Sequence, residues 1–382
     1  MRIAISGMFW AEPNVGSGQY LHHLVSTLAR EPSDHRFVLI IPRYTRVEKP
    51  ALHGWQVIMM PTPFDGRHRN LAKLWFEQIA LAQVCRKLWI DLVHVPYFAA
   101  PRRSGRPVVV TIHDLIPLLL PTHRGGRGVQ AYMRLAAAGA RRADAVIADS
   151  EHTRRDIITH LGIPPERVTV THLAVAPEYG PRDAAEIADV RERFRLRRPY
   201  VYYIGGFQAH KNVAMVVRAF AEATQGWDER PQLAIGGQPP DSDSKLFPDV
   251  NRMILDAGIA ADVAMLGRVS TADNAALMAG CAAFLFPSRY EGFGLPPLEA
   301  MQCGAPVIAS STTSVGEVVA GGGLLVDPDD LPGWTTALRR VLMDEHLAAD
   351  LRRRGIERAR QFSWDKTTAE TLEVYNSVVS SQ

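Results

Sequence analysis

The chain is poor in the features that mark several protein classes. Of its 382 residues only three are cysteine (Cys85, Cys281 and Cys303), and their spacing matches neither a metal site nor a redox pair. They are expected as small buried apolar residues in a reducing compartment. No apolar run is long enough to span a bilayer. The opening "MRIAISGMFW" lacks the apolar segment and small-residue cleavage site of an export signal, and is expected as a first buried strand in a cytoplasmic protein. Aromatic residues make up 8% of the chain, and none are interleaved with the basic residues in the manner of a base-stacking surface, which argues against nucleic acid as a partner. Lysine is scarce too, with six in the whole chain. No Ser-His-Asp or Cys-His nucleophile arrangement is evident. "DPD" at 327–329 and "DSD" at 241–243 are carboxylate pairs of a kind that can hold Mg²⁺, but both sit in Pro- or Ser-rich stretches and read as turns, so no metal is expected.

What is present is a twofold α/β pattern. Hydrophobic residues make up 47% and charged residues 22%, which is ordinary for a globular protein, and the length suits two domains. "RIAIS", "FVLII", "LVHVP", "VVVTI", "AVIADS" and "RVTVTHL" read as buried parallel strands in the first half. "YVYYIGG", "QLAIGG", "VAMLG", "AAFLFPS", "APVIAS" and "GGLLVD" repeat the theme in the second. Helical patterns lie between them, at 19–30, 70–88, 128–142, 211–224 and 334–343. The alternation predicts two Rossmann-like, doubly wound parallel-sheet domains facing across a cleft. The boundaries are expected at 1–175 and 200–363, with a charged, proline-rich linker at 176–199 and a last helix over 364–382 that packs back on the first domain.

Charge divides the halves. Residues 1–175 hold 22 Lys and Arg against 13 Asp and Glu, whereas residues 176–382 hold 21 against 27. A basic first half suits an anionic partner, either a phosphate-bearing acceptor or an anionic membrane. Arg127, Arg134 and Arg141 recur every seven residues along a helical pattern, and Arg102, Arg103 and Arg106 add to them. A plain solvated surface remains the alternative.

The stretch richest in chemistry is "RYEGFGLPPLEAMQCGAPVIAS", Arg289 to Ser310. It places Glu291 and Glu299 eight residues apart around Gly292 and Gly294, between a strand and a short helix opened by prolines. Main-chain N–H groups at a helix start attract anions, and a carboxylate accepts from two vicinal hydroxyls. Sugars and phosphates together, as in a nucleotide sugar, fit such a place. A capping glutamate and a surface glutamate fit it as well. His113 after a strand can equally be a core histidine, Lys211 can simply open a helix, and "GSGQY" at 16–20 can be an ordinary turn.

"EGFGLPPLEAM" resembles the Glu-x7-Glu signature of retaining glycosyltransferases of family 4, which have the GT-B fold. Further stretches fall in that family's order: "GSGQY" (16–20), "TIHDLIP" (111–117), "ADSEHTRRDI" (148–157), "YIGGFQAHKNV" (203–213) and "GGGLLVDPDD" (321–330). The resemblance implies a donor site in which Glu299 binds the ribose hydroxyls and Glu291 faces the donor hexose. Main-chain groups of Phe293, Gly294 and Leu295 would hold hexose and phosphate. Lys211 would neutralise the departing diphosphate, Gly16 and Gly18 would let their loop approach phosphates and acceptor, and His113 would lie beside the sugar. It implies no cofactor and no metal, a nucleotide-sugar donor, with a lean to GDP-mannose, and a glycan or polyprenyl-pyrophosphate-linked acceptor in surface polysaccharide assembly. The family commonly places an arginine five residues before the lysine; here that position is Gly206. A nucleotide-sugar epimerase, a phosphorylase, or a non-catalytic two-lobed sugar-binding protein are the alternatives.

Overall fold

In the computed structural model, which describes residues 1–31, 33–197, 199–240, 244 and 246–380, the chain divides by its contacts into two units. The first is Met1–Leu173 with Trp364–Gln382, and the second is Ala174–Ser363. The "DSD" stretch at 241–243 lies outside the described residues.

The first unit is built on seven strands: β1 (Arg2–Ser6), β2 (Arg36–Pro42), β3 (Gln56–Met60), β4 (Leu92–Val95), β5 (Val108–Ile112), β6 (Ala145–Ala148) and β7 (Val168–Val170). They pair in the order β3-β2-β1-β4-β5-β6-β7, every pairing parallel. The second unit carries β8 (Tyr200–Ile204), β9 (Gln232–Gly236), β10 (Val263–Gly267), β11 (Ala283–Phe286), β12 (Val307–Ser310) and β13 (Leu324–Val326). Their order is β10-β9-β8-β11-β12-β13, again all parallel. Both are doubly wound sheets whose strand order reverses once, between β1 and β4 and between β8 and β11, and the crevice at such a reversal is where this fold binds ligands. The central strands read as unbroken apolar runs because helices cover both faces. Val108–Ile112 and Ala283–Phe286, for example, are wholly buried.

Two features depart from the sequence reading. The edge strand β3 was not anticipated; it is only partly buried, so "QVIMM" lacks a continuous or strictly alternating burial pattern. The 176–199 linker is corrected as well. Residues Ala184–Arg193 form a helix opened by a capping box, in which Asp183 accepts from the Glu186 N–H and the Glu186 side chain accepts from the Asp183 N–H. Val190 is buried, and Arg193 pairs with Asp273 at 2.7 Å on the helix Thr271–Gly280. This segment therefore belongs to the second unit.

The last helix, Trp364–Ser380, belongs to the first unit and packs on the helix Gly16–Leu28. Trp364 stacks on His23 at 4.8 Å, and Tyr375, fully buried, hydrogen-bonds His94 Nδ1 on β4 at 2.6 Å. Burial, aided by the neighbouring His113, pushes the His94 pKa down to about 3, so His94 is a neutral member of this core.

Candidate active site

In the second unit the site follows from the topology. The segment after β8 and the segment after β11 leave adjacent parallel strands on either side of the strand-order reversal, so they become neighbours. The first carries Lys211 at the end of the short 3-10 turn Ala209–Lys211, and the second carries Glu291. Lys211 Nζ donates to both carboxylate oxygens of Glu291, at 2.7 and 2.9 Å. The pair is mostly sheltered, with 21% of the lysine side chain and 11% of the glutamate side chain exposed, so the attraction is only weakly screened.

The surrounding backbone is tied down from several directions. Asn212, in the left-handed region at φ 57°, donates through Nδ2 to Pro287 O (3.2 Å) and Pro328 O (2.7 Å), joining three loops. Arg289 N–H donates to His210 O at 2.7 Å, and Ser288 Oγ donates to the same carbonyl at 3.2 Å. Ser314 Oγ donates to Glu291 O at 2.8 Å, while Thr313 Oγ1 accepts from Glu291 N–H at 3.4 Å. Thr313 itself is held at φ 55°, a costly conformation for a β-branched residue and one that concentrates at functional sites.

Gly294 turns the chain into the helix Leu295–Gln302 at φ 108°, where a side chain would be strained. Pro296 and Pro297 bring no N–H, so the donors at this helix start are those of Phe293, Gly294 and Leu295. The Phe293 ring is buried and sets its edge against Phe362 at 5.9 Å, which anchors the loop. Glu299, one turn into the helix, is 9% exposed. Burial pushes its carboxyl up to about 7, opposed by a hydrogen bond from Tyr179.

The first unit makes a second acid–base pair by the same geometry. His113 follows β5 and Asp149 follows the adjacent β6, and His113 Nδ1 lies 2.7 Å from Asp149 Oδ2. His113 Nε2 is 3.3 Å from Pro96 O, so both ring nitrogens face acceptors. Burial disfavours the imidazolium, but the Asp149 carboxylate outweighs it, and the His113 pKa is raised. Gly16 opens the helix Gly16–Leu28, and Gly18 lies in its first turn rather than in a loop. A Cβ at Gly18 would come within 1.9 Å of Glu12 O, whereas a Cβ at Gly16 would meet nothing within 4 Å.

Residues 186–362 match the family model "Glycosyl transferases group 1", and residues 15–179 match "Glycosyltransferase Family 4". The O-antigen chain mannosyltransferase B of Escherichia coli is 32% identical over 285 residues, which is 74% of this chain and 74% of that protein. The chain is a family 4 glycosyltransferase. Solved structures share its fold: sucrose-phosphate synthase from Thermosynechococcus elongatus, at a TM-score of 0.78, 20% identity and full coverage of both chains, and Anabaena Alr3699/HepE in complex with UDP and glucose, at 0.74 and 20%, covering 99% of this chain and 100% of that one. The GT-B fold is thus the fold of this glycosyltransferase.

In this glycosyltransferase the arginine position of the phosphate segment, Gly206, is occupied differently. Tyr203 Oη donates to Gly206 O at 2.9 Å, passing so close beneath Gly205 that a Cβ there would lie 2.9 Å from the hydroxyl. The Gln208 amide covers the place where a side chain at Gly206 would begin. Of the acidic run after β13, Asp329 accepts from Arg289 at 2.7 and 2.9 Å, Asp327 accepts from Asp329 N–H, and Asp330 caps the helix Leu331–Met343. These carboxylates serve the turn and its neighbours. Arg127 and Arg134 lie exposed on the helix Arg127–Ala140, and Arg141 at its end donates to Leu161 O at 2.7 Å. Among the described residues no helix is long and apolar enough to cross a membrane.

Sequence reading missed Asn212, Thr313, Asp149 and Tyr179. The "DS" following strand β6 did hold a signal: an acid at the carboxyl end of a strand next to the one that leads to His113.

Proposed function

We propose that this glycosyltransferase moves a hexose from a nucleotide-diphosphate sugar to a hydroxyl of a glycan or polyprenyl-pyrophosphate-linked acceptor, with retention at the anomeric carbon. The observation that carries the reading is the Lys211–Glu291 pair set at the strand-order reversal beside the N–H-bearing start of the helix Leu295–Gln302. A lysine ammonium has three donors, and two aim at Glu291. A diphosphate oxygen brought to the same nitrogen takes the third. As the glycosidic C–O bond breaks, electrons pass to that diphosphate, and the fixed cation and the N–H groups stabilise charge that appears only then. The acceptor hydroxyl adds to the same face of the sugar and its proton goes to the departing phosphate oxygen, so no protein nucleophile is consumed. Glu291 faces the hexose and steadies the positive character of the ring, and Glu299 receives the ribose hydroxyls.

The likeness to an O-antigen chain mannosyltransferase supports mannose as the sugar and polysaccharide assembly as the setting, and GDP is the carrier expected with it. The UDP and glucose held by HepE favour the rival base and sugar. Metal independence follows in this reading because Lys211 and the backbone N–H groups serve the leaving group. The exposed Arg127 and Arg134 suit a lipid-linked pyrophosphate or an anionic membrane surface on the cytoplasmic side. A thermal-shift panel of GDP-mannose, UDP-glucose and ADP-glucose tests the donor, since a ligand at 100 times its Kd stabilises by about 2.7 kcal/mol. Stabilisation by GDP-mannose alone is expected; stabilisation by UDP-glucose alone would overturn the mannose reading. A matched assay with chelator should leave transfer unchanged.

A further inference from the structure

The first unit has a strand-order reversal of its own, between β1 and β4, and a lysine stands beside it. Phe9 follows β1 and Tyr97 follows β4, and their rings meet edge to face at 5.1 Å across that reversal. Lys73, on the helix Arg69–Trp75, holds its ammonium 5.8 Å from the centre of the Phe9 ring and 4.7 Å from that of the Tyr132 ring. Both are cation–π distances. The lysine side chain is 33% exposed, so it reaches solvent from between the rings.

Glu77, one turn further along, does not close this lysine off. Its Oε1 is 3.9 Å from Lys73 Nζ, beyond hydrogen-bond reach, and both its oxygens face the Tyr132 hydroxyl at 3.0 and 3.1 Å. The acid of the loop after β1, Glu12, accepts from Arg69 at 2.7 Å. Among the described residues no acceptor lies within hydrogen-bond distance of Lys73 Nζ. Lys211 is the contrast: an ammonium that serves a carboxylate donates to both oxygens, at 2.7 and 2.9 Å. Ring faces attract a cation but leave its three N–H donors free. The residue type fits as well, in a chain where six of 43 basic residues are lysine. A guanidinium is broad and flat, whereas an ammonium is compact, fits between two rings and can still turn an N–H outward.

We propose that Lys73 is a phosphate contact for the acceptor: held between the Phe9 and Tyr132 rings at the reversal of the first sheet, its free N–H donors bind the pyrophosphate that joins the glycan to its lipid. This rests on the reading of the acceptor as pyrophosphate-linked and assigns a residue to that group. A cation with unspent donors at a ligand crevice suits an anionic oxygen, and residues 1–175, with 22 Lys and Arg against 13 Asp and Glu, carry the matching charge. The rings fix the ammonium before the ligand arrives. Glu77 holds Tyr132 in place and takes no N–H from the lysine.

The test is calorimetric titration with farnesyl diphosphate, a short prenyl diphosphate, with GDP and UDP both at saturation so that the donor site is filled. Farnesol is the phosphate-free control, and GDP affinity is measured separately. Wild type should prefer farnesyl diphosphate to farnesol by about tenfold or more, the order expected for a hydrogen bond between charged groups. Lys73→Met keeps the stem between the rings and removes the charge. It should lose that preference while its affinity for farnesol and GDP stays at the wild-type value. Lys73→Arg should stay within about threefold of wild type, because the charge remains. The gap between wild type and Lys73→Met should narrow as salt is added, since the charge is partly exposed. Vesicles of phosphatidylcholine and phosphatidylglycerol separate the two sources of phosphate, and wild type and Lys73→Met should sediment with them alike. If Lys73→Met binds farnesyl diphosphate like wild type, the assignment falls and the pyrophosphate-linked acceptor stands. Equal losses in Lys73→Met and Lys73→Arg would mark packing damage and overturn it. So would a matching loss of GDP affinity, which would place Lys73 with the donor, or a loss of vesicle binding, which would make the phosphate a lipid headgroup. If wild type itself does not distinguish farnesyl diphosphate from farnesol, the reading of the acceptor fails first and the proposal with it.

Discussion

Each unit buries one glutamate against a tyrosine hydroxyl, and the two differ in what else they touch. Glu77, in the first unit, is fully buried and accepts from Tyr132 Oη with both oxygens, at 3.0 and 3.1 Å. Lys73 stands 3.9 Å away, with its ammonium 4.7 Å from the Tyr132 ring. Glu299, in the second unit, keeps 9% of its surface, and its neighbouring titratable groups are neutral. In both cases burial pushes the carboxyl up to about 7. Glu77 thus has its partners built in, on a widened helical turn (Phe76–Ala80) of the kind that recurs near function. Glu299 lies beside Tyr179 and keeps a small exposed edge. The contrast separates an acid held through both oxygens inside a core from an acid at the margin of one.

The sharpest way to break this contrast is at the ion pair that belongs wholly to the second unit. Glu291→Ala should lower turnover by on the order of 10²–10³-fold while donor affinity changes little. Lys211→Ala should likewise fall mainly in kcat, and a defect confined to KM would remove its leaving-group role.

Next comes Glu77→Gln. A folded-state pKa above the unfolded one means that the native protein binds the Glu77 proton more tightly, so stability is fully present below about pH 4.5 and is lost as pH rises through 7. The variant keeps the acceptor for Tyr132 and removes a cost of at most about 3 kcal/mol above pH 7. It should melt higher than wild type at pH 8 and equally at pH 5. If it instead stops transfer without changing the melt, Glu77 serves the reaction and the two glutamates are alike.

Smaller effects are expected at the helix start of the first unit. Gly18→Ala pushes a Cβ into Glu12 O and should cost about 1–3 kcal/mol by chemical denaturation, while Gly16→Ala should fold like wild type. Smallest is Asp149→Asn. With the carboxylate gone, burial prevails and the His113 titration followed by NMR should move to lower pH; an unmoved midpoint would assign the raised pKa to another group.

The fold was largely legible because buried parallel strands write themselves as short apolar runs, as in "VVVTI" and "AFLF". The family motifs brought Lys211 and Glu291 to notice, and strand adjacency explains why residues 80 apart in sequence meet. The helix 184–193 was hidden by its charge, although "DAAE" at 183–186 is a helix-start signal. The pairing of Tyr179 with Asn274 was not legible. It joins a hydroxyl and an amide 95 residues apart, and no periodicity records that.

Asn212 closes three loops with a single amide. An engineer who wishes to change the sugar this enzyme accepts by transplanting "EGFGLPPLEAM" from a relative would carry over one side of a three-cornered fastening. The exchangeable cassette is discontinuous, made of the stretches around 205–212, 287–299 and 327–330 taken together, and a swap limited to any one of them should yield protein that folds yet misplaces its lysine.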